Sequence, residues 1–345
     1  MKLYIYPTIL LKKENNYNPY LENLGESLNN YFDFINYRKE GTIALFHLFK
    51  NLFNMDICVF NWIENIPFKK MGVLQYYFFI FIILPLLNMR KVKLIWIMHN
   101  IESHQGANRF STLIFDRMIR SSYVFITHSQ EAKNQILKYR KSEDVFFAHH
   151  PINYQHNNQS IEIKERKYKY DILIWGKISR YKGVVEFLSF LSENSYNKSY
   201  QIKIVGLCDD SFLINEIEKY LNDYITYENR SAAFDEINEL ISVSKFVLFP
   251  YNSKSISSSG VLMDSLSCLG SCIGPNKGAF RDLANKDLCY VFNDYFDVIK
   301  ILNRGLQIDF SKIKYWVGQN SWNSFGANFS FFLNQKLNNS DSYGK

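Results

Sequence analysis

"ILIWGKISRYKG", residues 172–183, decides how this chain is read. The apolar run Ile172–Gly176 stops at Lys177, and Arg180, Lys182 and Gly183 follow. A helical pattern then begins, with Val184, Val185, Phe187, Leu188 and Leu191 apolar. A short apolar run reads as a buried strand, and the later spacing reads as one face of a helix. Cations and a glycine at a strand-to-helix turn have the makings of an anion site. Backbone N–H groups at a helix N-terminus carry partial positive charge, and side-chain ammonium and guanidinium groups add to it. Glycine lets the backbone approach a ligand closely. The plainer alternative is a loop of solvated cations.

Working outward, strands and helices alternate along the chain. In the first half, strands are predicted near 2–6, 33–37, 56–61, 93–99, 123–127 and 145–149, with helices near 20–30, 43–53, 73–88, 110–120 and 130–139. The polar run "NYQHNNQSIEIKERKYK" breaks the pattern and reads as a linker. Strands then resume near 171–175, 201–205, 224–227, 246–250, 271–273 and 288–292. Helices fall near 182–193, 212–221, 234–242, 260–269 and 295–304, and an aromatic-rich helix near 321–336. Repeated strand–helix units predict parallel sheets covered on both faces, an α/β fold of two doubly wound domains. Two in tandem would enclose a cleft, with ligands outside the carboxyl ends of the strands. The expected division is 1–155, 165–320, and a closing segment 321–345 that packs back on the first domain.

Bulk composition agrees. At 345 residues the chain suits two domains, and 47% hydrophobic and 17% aromatic content supply two cores. A formal charge of +7 fits an anionic partner without choosing among nucleic acid, membrane and phosphorylated ligand. Lys and Arg are scattered rather than striped and no nucleic-acid recognition motif is present, so a nucleic-acid-binding protein is the weaker reading. The five cysteines complete no zinc pattern and read as buried thiols of a reducing cytosol. "MKLYIYPTIL" reads as a first strand, not a signal peptide. One segment, Gly72–Met89, carries no charge and is flanked by Lys69, Lys70, Arg90, Lys91 and Lys93. Pro85, Gln75 and two tyrosines dilute it as a membrane span. It reads as a buried crossover helix, as a helix lying in a membrane interface, or as both.

A second stretch, "FVLFPYNSKSISSSGVLMDSLSCLGSCIGP" (246–275), reads as strand, Ser-rich loop and helix. Ser257, Ser258, Ser259 and Gly260 would offer hydroxyls and N–H groups at another helix N-terminus. Asp264, in the second turn, could accept from ribose hydroxyls. A flexible loop with an N-cap and a surface charge is the alternative. These residues resemble those of GT-B glycosyltransferases, in particular family 4 and related bacterial surface-polysaccharide transferases. "WGKISRYKGV" resembles their G-R-x-x-x-x-K-G-V segment, and "FPYNSKSISSSGVLMDSLSCLGSCI" their P-S-x-x-E-G-F-G-x-x-x-x-E-A-M-A-x-G-x-P-V segment. "GPNKGAFRDL" resembles the T-x-x-G-G-x-x-E-I that follows. "KLIWIMHNIESH" resembles the strand ending in a His that faces the donor sugar, and "NPY" (18–20) fits the same subgroup.

The resemblance implies a metal-independent, cytoplasmic enzyme needing no cofactor. It would move a sugar from a nucleoside-diphosphate sugar, UDP- or GDP-linked, to a hydroxyl of a lipid-linked glycan. It implies that Lys182 holds the donor diphosphate with Lys177 and Arg180, that Ser258, Ser259 and Gly260 add donors, and that Asp264 contacts the ribose. Lys177 stands where the family has Arg, and Ile256 where it has the first Glu of a pair, which leaves retention against inversion open. His99 and Glu102 are the candidates for the acceptor side, as general base or as sugar contact. His99, Glu102 and His104 have the wrong spacing for a standard metal motif. The rival readings are a non-catalytic nucleotide-sugar-binding protein of the same fold and a sugar-nucleotide epimerase.

Overall fold

The computed structural model describes residues 1–7, 19–36, 43–99, 108–153, 166–252 and 258–342, the side chains of 340–342 excepted. The chain divides into two compact units. Unit 1 is Met1–Pro151 with Trp322–Lys345, and unit 2 is Ile152–Ser321. Ile152 precedes the polar run yet belongs to unit 2. It bridges to Ser321 and donates its N–H to the Asn320 carbonyl at 2.8 Å.

Unit 1 holds a six-stranded sheet of β1 (Lys2–Tyr6), β2 (Asp33–Phe34), β3 (Ile57–Asn61), β4 (Lys93–Met98), β5 (Val124–Thr127) and β6 (Val145–Phe147), in the order β2-β1-β3-β4-β5-β6. Every pairing is parallel. Alternate residues serve opposite faces. Leu3 and Ile5 enter one core, and Tyr4 and Tyr6 the other. Helices α1 (Pro19–Leu28) and α14 (Trp322–Ser342) cover the Leu3 face, where Trp322, Phe325, Phe329 and Leu333 complete the core. Lys336 locks α14 down through Asp144 at 2.6 Å, and the Tyr123 hydroxyl donates to the Lys336 carbonyl at 3.0 Å. The Tyr4 face carries α2 (Ala44–Asn51), α5 (Arg109–Ser121), α6 (Gln130–Leu137) and the continuous helix Gly72–Met89.

Gly72–Met89 is long and apolar enough to cross a membrane by length and composition, with 39% of it buried. Tyr76, Phe79, Ile80, Ile83, Leu84 and Leu87 pack into the unit 1 core, so the segment is the crossover helix between β3 and β4. It comprises α3 (Gly72–Phe78), a π-helical stretch Phe79–Ile83, and α4 (Leu84–Met89). Pro85 lacks an N–H and its ring crowds the carbonyl four residues back, so the helix widens there rather than breaking.

Unit 2 holds β7 (Tyr170–Trp175), β8 (Ile202–Val205), β9 (Ile225–Glu228), β10 (Ser244–Leu248), β11 (Cys272–Pro275) and β12 (Tyr290–Phe292), in the order β12-β11-β10-β7-β8-β9, all parallel. The strand order reverses between β7 and β10, and in unit 1 between β1 and β3, which marks the crevice where such sheets bind ligands. Helices α7 (Val184–Glu193), α8 (Ser211–Glu218), α9 (Phe234–Ser242), α10 (Gly260–Ser267) and α12 (Tyr295–Arg304) match the periodic stretches. Two helices were not predicted: α11 (Gly278–Ala284) and α13 (Phe310–Gln319). All five cysteines are free and buried.

Candidate functional site

The reversal point of unit 2 sits between the carboxyl ends of β7 and β10. The turns that leave these strands are the two stretches singled out by sequence. Gly176 and Gly183 both have positive φ, 91° and 65°. A Cβ on Gly183 would lie 2.1 Å from the Pro250 carbonyl oxygen, so no other residue fits. The two turns are tied together. The Asn252 N–H donates to the Tyr181 carbonyl at 3.1 Å. The Tyr295 hydroxyl reaches the carbonyls of Pro250 (3.1 Å) and Gly183 (3.3 Å). Trp175 Nε1 donates to Ser265 Oγ at 2.8 Å, fixing α10 against β7.

The three predicted cations part ways here. Lys177 Nζ is exposed and pairs with Asp209 at 2.7 Å, and Arg180 Nε pairs with Asp210 at 3.1 Å. Both partners come from the turn before α8. Lys182 turns inward and is 5% exposed. Its Nζ packs against Gly176, 3.4 Å from where a Cβ would be, and Val261 in the first turn of α10 packs against the same point. The Tyr251 ring lies 5.4 Å from Nζ, within cation–π range. Among the described residues no acceptor takes a hydrogen bond from this ammonium. Burial pushes its pKa down to about 8. A buried ammonium that meets no acidic side chain among the described residues, beside the N-termini of α7 and α10, has the chemistry of an anion site.

The α10 turn supplies the rest. Ser259 caps the helix by accepting from the Leu262 N–H at 3.4 Å. Ser258 Oγ is buried with no hydrogen-bond partner. Among the described residues nothing lies within 4 Å of a Cβ placed on Gly260. The Asp264 carboxylate is half-buried and accepts no hydrogen bond among the described residues, and burial raises its pKa to about 6. Ser257 and Ile256 lie outside the described residues.

A diphosphate bound here would need Lys182 charged. Its pKa of about 8 in the free protein must rise when an anion arrives. Nucleoside-diphosphate affinity is therefore expected to be constant below pH 8 and to fall above it, roughly tenfold per pH unit, until the pKa of the complex is reached. Calorimetric titration of UDP from pH 7 to 10 checks this. A flat profile would mean that Lys182 does not touch the anion.

At the carboxyl edge of unit 1, His99 follows β4 and is 8% exposed. It stacks on Trp62 at 4.3 Å and meets the edge of Tyr20 at 4.6 Å. Asn61 Nδ2 donates to the Tyr6 carbonyl at 3.1 Å, which turns Oδ1 toward His99 Nε2 at 3.0 Å. Nε2 therefore carries the proton and Nδ1 is left as an acceptor. Burial and the nearby imidazoles of His128 and His150 hold His99 well below its ordinary pKa. It is a weak base, suited to accepting a hydrogen bond from a hydroxyl. Glu102 and His104 lie outside the described residues.

Three further groups at the edges of the two sheets are not marked by the sequence pattern. His128 follows β5 as His99 follows β4. Its Nδ1 donates to the Ala148 carbonyl at 2.9 Å and its Nε2 accepts from the Tyr20 hydroxyl at 2.7 Å. The shared position, one residue past adjacent parallel strands, was the available signal. Glu64, just past β3 at the reversal point, has both carboxylate oxygens buried without a hydrogen-bond partner. Burial raises its pKa to about 7, a proton affinity matched to neutral pH. Tyr295, which pins both turns of unit 2, was read only as the start of a helix. Among the described residues no group of three His, Cys, Asp or Glu could hold a metal ion.

No family model and no curated protein matches the chain by sequence. Solved structures do match. The chain is similar to Anabaena Alr3699/HepE, crystallised with UDP and glucose, at TM-score 0.67 and 10% identity, covering 97% of this chain and 100% of that one. It is similar to the lipopolysaccharide outer core galactosyltransferase WaaB at TM-score 0.64 and 11% identity, over 97% and 100% of the two chains. A glycosyltransferase from Rickettsia africae ESF-5 matches at TM-score 0.61 and 12% identity, over 97% and 98%. With its two doubly wound parallel-sheet units and these relatives in shape, the chain has the GT-B fold.

Proposed function

We propose that this protein is a glycosyltransferase that takes a sugar from a nucleoside-diphosphate sugar and gives it to a hydroxyl of a lipid-linked glycan. The observation that carries the proposal is Lys182, a buried ammonium that pairs with no acidic side chain among the described residues, at the reversal point of unit 2. Cleaving the sugar–phosphate bond leaves a diphosphate whose negative charge grows through the reaction. Preorganised positive charge and N–H dipoles at that place stabilise the transition state more than the ground state. The Asp264 carboxylate fits the ribose hydroxyls, and Ser258 and Ser259 fit the phosphate oxygens. Lys177 and Arg180 would have to leave Asp209 and Asp210 to join them. His99 Nδ1 would accept from a hydroxyl of the transferred sugar. UDP is the first donor nucleotide to try, because HepE was crystallised with UDP-glucose.

The setting we propose is bacterial capsule, O-antigen or exopolysaccharide synthesis at the inner face of the cell membrane. WaaB, a lipopolysaccharide outer core galactosyltransferase, supports that setting by likeness of fold. The apolar outer face of Gly72–Met89 with its basic flanks supports the membrane. The proposed chemistry uses no metal.

A thermal-shift panel of UDP, GDP, dTDP, CDP and ADP tests the proposal. A ligand at about 100 times its Kd adds roughly 2.7 kcal/mol and visibly raises Tm. One diphosphate is expected to stand out, and its effect to vanish in Lys182→Ala. No shift from any of them would sink the transferase reading. Donor hydrolysis or transfer separates an enzyme from a non-catalytic binder.

A further inference from the structure

Unit 1 carries an apolar groove with its own direction. Helix α2 joins β2 to β3, and Gly72–Met89 joins β3 to β4. All three strands are parallel, so both helices start at the carboxyl edge of the sheet and run back side by side. Between them lies a groove of about 480 Å³ lined by Ile43, Phe46, Leu74, Tyr77, Phe78 and Phe81 among others, with Gln75 and the Tyr77 hydroxyl the polar groups among its described lining residues. The lining is exposed to an unusual degree for large apolar side chains. Phe46 is 51% exposed, Leu74 61% and Phe81 66%. The two walls meet through aromatic rings, Phe78 being in contact with Phe46 and Phe49, both at 5.4 Å between centroids.

One end of the groove is marked by charge. Met71 lines the end at the carboxyl edge, and Lys69 and Lys70 come immediately before it in the chain. Lys70 is exposed and in no ion pair among the described residues. Lys69 Nζ turns toward the end of β1, 5.5 Å from the Tyr6 ring centroid, where it also faces the Glu64 carboxyl. A slot apolar along its length and cationic at one mouth complements a single hydrocarbon chain with an anionic head. The mouth opens at the edge where parallel sheets bind their ligands.

We propose that this groove holds the hydrocarbon chain of the acceptor, with its phosphate head at Lys70. The inference rests on the transferase reading for the word acceptor. The groove's preference for a chain with an anionic head stands apart from it. A recess walled by α2 on one side and Gly72–Met89 on the other matches one chain more closely than a flat bilayer surface does.

The experiment titrates octyl, decyl and dodecyl phosphate, each below its critical micelle concentration, into the full-length protein by calorimetry. Burial of each added methylene should tighten binding about fourfold, the equivalent of about 0.8 kcal/mol, until the groove is full. Affinity should then level off. Leu74→Asp and Phe81→Ser sit on exposed positions and should each weaken decyl phosphate tenfold or more while keeping the UDP-induced thermal shift. Lys70→Glu should weaken decyl phosphate but not decyltrimethylammonium. Binding without chain-length dependence, or unchanged in both groove variants, would overturn the proposal. So would binding to vesicles of phosphatidylcholine and phosphatidylglycerol with none to monomeric alkyl phosphates, since the occupant would then be a bilayer surface. Alkyl phosphate binding without any nucleotide response would leave the groove standing and remove the transferase reading.

Discussion

Lys182→Met is expected to lower UDP affinity at least about a hundredfold and, in the same molecule, to stabilise the ligand-free protein. The first effect follows from removing a buried, charge-assisted contact to a diphosphate. The second follows from what the lysine does when no anion is present. Its pKa falls from 10.5 to about 8 because burial disfavours the ammonium. At neutral pH that shift corresponds to about 3 kcal/mol held against folding, as an upper bound. Met fills a similar volume and carries no charge. Between pH 8 and 10.5 the unfolded chain binds a proton that the folded one does not, so wild-type stability should rise with pH across that window. The Met variant should lack that rise. Urea denaturation at pH 7 and pH 10 measures both. A Met variant less stable than wild type at pH 7 would show that the ammonium has a partner in solution.

The second large effect is acid sensitivity of unit 1. His99 and His128 are buried, His150 is partly buried, and all three are neutral near pH 7. His128 is pushed down to about 3 and His150 to about 4, and His99 lies well below its ordinary value, burial being the largest cause each time. The folded pKa is depressed, so as pH falls below about 6.5 the unfolded chain takes up protons that the folded one refuses. Each histidine then removes about 1.4 kcal/mol of stability per pH unit. By pH 4.5 the three together would remove at most about 8 kcal/mol, a large share of the stability of an ordinary domain. Unit 1 is expected to unfold in this range. The change would be read from the emission of Trp62 and Trp322, which pack in the same cluster. His128→Gln should make the loss shallower by about a third. An unchanged acid midpoint in that variant would assign the transition elsewhere.

The sheets were legible because a parallel strand is buried on both faces and so reads as a near-continuous apolar run. Lys2–Tyr6 is a strand to the residue. Helix α11 was missed because "GAFRDLA" is short, starts with glycine and shows barely one turn of periodicity. In α13 only Ile313 and Val317 are buried, and Lys312, Lys314 and Tyr315 between them hide the pattern. The anion position was legible because a glycine and cations at a strand end have few structural reasons to coincide. Which cation would be buried was not legible. That depends on Asp209 and Asp210, about thirty residues on, reaching back across the sheet to claim Lys177 and Arg180. The tautomer of His99 rests on Asn61, from another strand, which no local pattern connects to it.

The return of α14 to unit 1 has a consequence for how the chain is made. Trp322, Phe325, Phe329 and Leu333 close a core begun by Leu3 and Ile5. On the ribosome these partners are separated by all of Ile152–Ser321. At ordinary elongation rates the N-terminal sheet would wait roughly 10 to 30 seconds with one face uncovered. Unit 2, contiguous in sequence, can fold in that interval, so the last unit to finish is the first to be synthesised. Ribosome stalling in unit 2 would therefore expose an aggregation-prone sheet face that the finished protein never shows, and would call for a chaperone during synthesis.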